Sequence, residues 1–124
     1  MAGKIIADTL EHSTAGSVTT DYVVNGSAKA WIIFAMGSGS IGNSLNFSSI
    51  SDAGTGFYDC SFSASFDSVN YALTGGGSDE GSGPVVFVKH GNTQASQVRV
   101  YAINRTGTAV DSSHAEIANH GDLA

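Results

Sequence analysis

Between Tyr58 and Phe66 the chain alternates with a strict period of two. Tyr58, Cys60, Phe62, Ala64 and Phe66 fall on one side, and Asp59, Ser61, Ser63 and Ser65 on the other. Successive side chains of a β-strand project to opposite faces, so this run has one core face and one wet face. The turn chemistry of Asp52-Ala53-Gly54-Thr55-Gly56 precedes it, and before that Leu45 and Phe47 alternate with polar residues from Asn43 to Ser51. A β-hairpin is implied.

The same reading extends along the chain. Ala28 to Met36 is apolar on both sides after Lys29, as expected of a strand covered on both faces. Gly37-Ser38-Gly39-Ser40 ends it at a length short for a helix. Trp31 within it is read as core, since large aromatics dominate core packing. Further strands are predicted at Tyr71 to Thr74, Val85 to His90, Gln97 to Ile103 and His114 to Ala118. The 124 residues suffice for one core and no more. With no sustained helical period and no fixed repeat, the expected fold is all-β: an antiparallel β-sandwich (jelly-roll-like) or a small barrel.

Residues 1–27 carry Ile5, Ile6, Leu10, Val18, Tyr22, Val23 and Val24 among polar neighbours, too few for a core of their own. They are read as an extended N-terminal arm for attachment or subunit contact, closed by a tight turn at Asn25-Gly26. The single β-domain then occupies 28–124. Asp8 and Glu11 interrupt the apolar stretch that a signal peptide needs, and no run reaches membrane-spanning length. A cytoplasmic start and no membrane insertion are expected.

Charge and motifs narrow the chemistry. Eleven acidic against five basic side chains give a net charge of -6, and Lys4, Lys29, Lys89, Arg99 and Arg105 are scattered singly. That pattern offers no basic footprint for nucleic acid. Gly37, Gly39 and Gly42 match a dinucleotide fingerprint by letter, but the following residues are poor helix material, so no cofactor is expected. His114, Glu116 and His120 share one face of a strand, yet extended geometry separates the two imidazoles by roughly 20 Å. That is too far for one ion unless the chain bends sharply at Asn119 or a symmetry axis brings one His from each chain together, and exposed histidine is the commoner explanation. Cys60, the single cysteine, sits on the predicted core face and cannot form an intrachain disulfide. Gly-x-Ser-x-Gly is absent and the carboxylates show no glycosidase-like pairing, so no catalytic residue is nominated. The Gly-rich segment from Gly75 to Gly83 is read as a flexible surface loop. Within it Ser78, Asp79 and Glu80 are candidate partner-contact residues at a distal tip.

Several stretches carry a resemblance that spans nearly the whole chain. They are Asn25-Gly26-Ser27-Ala28-Lys29-Ala30-Trp31, the run from Phe47 through Asp52-Ala53-Gly54-Thr55-Gly56 to Tyr58, Asn70-Tyr71-Ala72, and the terminal His120-Gly121-Asp122-Leu123-Ala124. Together they resemble the short β-domains of tail-fibre and related virion proteins of tailed bacteriophages, especially those of marine and freshwater bacteria. The resemblance implies a homotrimeric virion component, assembled in the bacterial cytoplasm, with no catalytic residues. After Trp31 the pattern departs, since Ile32-Ile33-Phe34-Ala35-Met36 stands where relatives carry a polar stretch. Two roles follow: a tail-fibre-type component binding a host glycan or protein, or a capsid decoration protein held by its arm to other phage structural proteins. A carbohydrate-binding module outside any phage is a third reading.

Overall fold

A computed structural model describes residues 3–79 and 83–124. Two strands and one helix come first: β1 (Thr9–His12), β2 (Gly16–Thr19) and α1 (Thr20–Gly26). Then follow β3 (Ala30–Ala35), β4 (Ser40–Leu45), β5 (Phe47–Gly54), β6 (Phe57–Phe62), β7 (Ala72–Asp79), β8 (Gly83–Lys89), β9 (Gln97–Asn104) and β10 (His114–His120). The last eight form one antiparallel sheet in the order β4-β3-β10-β7-β8-β9-β6-β5. That sheet curls into a nearly closed barrel, the small-barrel form of the expected all-β fold.

Closure is set by the two edge strands, β4 and β5, which are consecutive in the chain and joined at Asn46. Asn46 takes a positive φ of 58°, which a short amide side chain tolerates better than most residues. Its side chain then fixes the corner: Nδ2 donates to the Ala64 carbonyl at 3.0 Å and Oδ1 accepts from the Ala64 amide at 2.7 Å. The stretch Asn43 to Ser51, expected as one strand, is therefore two strands meeting at a corner.

An eight-stranded barrel has an interior just wide enough for side chains to fill. Here Ile32, Phe34, Cys60, Val85, Phe87, Val98, Val100, Ala115 and Ile117 fill it. Phe47, Phe62, Phe66 and Tyr71 plug one end, with Phe66 stacked on Tyr71 at 4.4 Å and edge-on to Phe62 at 4.9 Å. The Tyr71 hydroxyl donates to the carbonyls of Gln94 and Gln97, and the Lys89 ammonium lies 3.9 Å from the centre of its ring. The regular strand β6 stops at Phe62, but Phe66 still reaches the core through a bridge to Leu123.

The Gly-rich segment departs most from its expected form. Gly75, Gly76 and Gly77 are strand residues of β7, paired with β10 on one side and, at Gly76 and Gly77, with β8 on the other. A Cβ at Gly77 would come within 2.7 Å of Ser112 Oγ and 2.9 Å of Phe87 Cε2, so the glycine is required by close packing and not by mobility.

Candidate functional site

Two surfaces of the molecule stand out: the arm, and a groove on the outer face of the barrel. In the arm, β1 pairs with β2 in a hairpin and α1 follows directly. The Thr20 amide donates to Asp8 O at 2.9 Å and its hydroxyl to Ala7 O at 2.7 Å, tying the start of the chain to the start of the helix. The arm is thus not simply extended, and Asn25 and Gly26 close the helix instead of forming a hairpin turn. None of its described residues is buried. Ile5 is 90% exposed, Ile6 82% and Tyr22 74%, with Leu10, Val18, Val23 and Val24 also exposed.

The arm joins the barrel at the Ala30 end of β3. There the Lys29 amide donates to Asn119 O at 2.9 Å, and His120 Nδ1 lies 3.2 Å from Gly26 O. Across the sheet, Asn119 stands opposite Ala30 and Leu73, whereas Ser78 and His114 stand opposite each other near the far end. The five residue steps from Leu73 to Ser78 span about 17 Å of strand. The Ser78 end of β7 therefore lies at the end of the barrel opposite the arm.

Of the candidate contact residues, Ser78 is exposed and its carbonyl accepts from the hydroxyls of Ser112 at 2.8 Å and Ser113 at 3.1 Å. Asp79 is the last residue of β7, paired with Gly83, and Glu80 lies outside the described residues. These bonds anchor the β7 side of the tip to the strand end beside it.

The groove was not anticipated. In β3 the buried positions are Ala30, Ile32 and Phe34, so Trp31 is not core: with Ile33 and Ala35 it lies on the outer face, half-buried. Directly paired residues share a face. Trp31 thus neighbours Leu45 and Ala118, and Ala118 neighbours Thr74, while Ile33, Glu116 and Gly76 form the adjoining row. Small residues over β10 and β7 leave a depression walled by Trp31 and Ile33, with Glu116 in it. Ile32-Ile33 beside Trp31 was the available signal, because a strand apolar on both sides must spend its second face on something.

The remaining features are placed without chemistry. Gly37 and Gly39 belong to the β3–β4 turn and Gly42 to β4, with no helix following. His114 Nε2 lies 3.6 Å from Glu116 Oε1, while His120 is at the other end of β10 beside Gly26. Among the described residues no three His, Cys, Asp or Glu side chains converge as a cation site, and no helix is long and apolar enough to cross a membrane. Cys60 is sealed in the core, and burial, then the charge of Asp59, pushes its thiol up to about 12. On the outer face of β6 and β9, Arg99 grips Asp59 through two bonds of 2.6 and 2.5 Å, which hold the carboxyl below its usual range.

No family model, curated protein or solved structure matches the chain.

Proposed function

We propose that this chain is a non-enzymatic structural protein on the surface of a tailed-bacteriophage particle, a tail-fibre-type component that contributes to host adhesion. The observation that carries the reading is its polarity. An arm with bare apolar side chains leaves one end of a solid barrel, and the Ser78 end of β7 lies at the other. Such a body attaches by one end and presents the other, as the resemblance to tail-fibre β-domains implies. In this reading the chain is a homotrimer assembled in the bacterial cytoplasm, and Ser78, Asp79 and Glu80 face a host glycan or protein.

A second reading, capsid decoration, is favoured by the arm itself, because exposed Ile5, Ile6 and Tyr22 suit an element gripping neighbouring shell subunits. Antibodies against the purified chain, applied to purified particles and viewed by electron microscopy, test both. Label at the tail, with copies few relative to the major capsid protein, supports adhesion. Dense label over the head supports decoration, and particles without label overturn the virion reading.

A further inference from the structure

The apolar side chains of the arm and the apolar groove of the barrel are both unoccupied within one chain. Thr20 holds Ala7 and Asp8 against the start of α1, and Ile6 just before them remains 82% exposed. A two-stranded hairpin is marginal in water, and a seven-residue helix is far below the roughly 12–15 residues at which isolated helices gain stability. The arm is therefore built from elements that need a partner.

Groove and arm also match in spacing and charge. Glu116 and Ala118 are two apart on the outer face of β10, about 7 Å. Lys4 and Ile6 are two apart in a segment outside helix and strand; laid out as an extended chain, they point to the same side with the same separation. Lys4 is the sole Lys or Arg before Lys29, and Glu116 is the acidic residue in the groove, with His114 beside it.

We propose that the Lys4-Ile5-Ile6 segment of a second copy of this chain docks in the groove, parallel to β10. Ile6 seats against Trp31 and Ala118, and the Lys4 ammonium pairs with the Glu116 carboxylate. Ile6 then loses water contact against an aromatic wall, and Lys4 fixes the register. Repeated around a closed ring, each arm serves the next barrel, a head-to-tail contact that fits cyclic symmetry. This inference rests on the reading of the arm as an assembly element, yet it is tested on the purified full chain, so its failure is separable from failure of antibody labelling on particles.

The experiment is a charge reversal read by sedimentation velocity across a concentration series. K4E and E116K each weaken self-association by about tenfold or more, and the double variant K4E/E116K recovers most of it. Both sites are exposed, so folding is preserved, with circular dichroism as the control. In parallel, chains carrying I6C are mixed with chains carrying A118C and treated with a short bifunctional thiol reagent. Cys60 is buried and stays silent. A covalent heterodimer is the expected product. A monomer at every concentration, association that ignores both reversals, or a double variant no better than the singles overturns the proposal, as does failure of the mixed chains to cross-link.

Discussion

In the barrel, Ile32, Phe66 and Val98 are sealed from solvent, whereas in the arm Ile5, Ile6 and Tyr22 are almost fully bared. The side chains are of the same kinds, so residue type does not decide the outcome. What differs is the number of neighbours each backbone acquires. Every inner barrel strand is paired on both sides and its sheet returns on itself, while β1 and β2 pair only with each other. Apolar side chains stabilise a fold only where a second surface removes them from water. The difference teaches that this molecule has one region stable by itself and one whose stability comes from outside it.

The comparison breaks first at the aromatic plug. Phe66 is 1% exposed between Phe62 and Tyr71, so F66A leaves a cavity and is expected to cost about 3–5 kcal/mol in urea unfolding. A loss below about 1 kcal/mol would show that the barrel end is as loosely held as the arm. Next in size is G77A. Its methyl group would meet Ser112 Oγ, Phe87 and the His114 carbonyl, and overpacking against fixed backbone is expected to cost about 3 kcal/mol. G76A, one residue away on the outer face, meets only Val85 O at 3.8 Å and should be nearly silent. Equal losses at the two positions would mean that propensity, and not packing, sets the glycine requirement.

These two positions also show what the sequence could and could not reveal. The alternation from Tyr58 to Phe62 fixes inward and outward residues because a period of two has a single structural meaning, and the structure places Tyr58, Cys60 and Phe62 inside as expected. Gly75, Gly76 and Gly77 have no side chains to alternate, so a strand there looks like a loop until the neighbouring strands are in place. Trp31 misleads differently. Bulk argues for the core, but its parity puts it opposite Ile32, and strand parity prevails over residue size. The groove could not be read at all, since it is formed by side chains from β3, β10 and β7 that are remote in sequence.

A third test asks how well the barrel excludes charge. Burial pushes the pKa values of Tyr58, Cys60 and Tyr71 above their ordinary range, with Asp52 and Asp111 adding to the effect at Tyr58 and Cys60 to that at Tyr71. Groups raised in the folded state contribute stability that is complete below their unfolded values and is lost as pH rises toward the folded ones. The window therefore opens near 9, the ordinary thiol value, and runs toward about 12. One unit into it, the thiol alone should cost roughly 1 kcal/mol of stability. Denaturant midpoints that stay level from pH 8 to pH 10 would contradict a sealed interior.

The smallest effect is expected in the arm, and it carries the most information. Tyr22 is 74% exposed, so Y22A should change the unfolding free energy of the dilute chain by no more than about 0.5 kcal/mol. Hydrogen exchange locates the boundary directly. Amides of β6 and β9, paired on both sides, should open only with global unfolding, while those of β1 and β2 should exchange almost as fast as free peptide. Raising the protein concentration then separates two accounts of the arm. If it is ordered by a second copy, protection of residues 9–19 rises with concentration, because association stabilises by mass action, and barrel protection hardly moves. If protection in the arm is already high in dilute solution, the hairpin holds itself together and the distinction between a self-supporting barrel and a dependent arm fails.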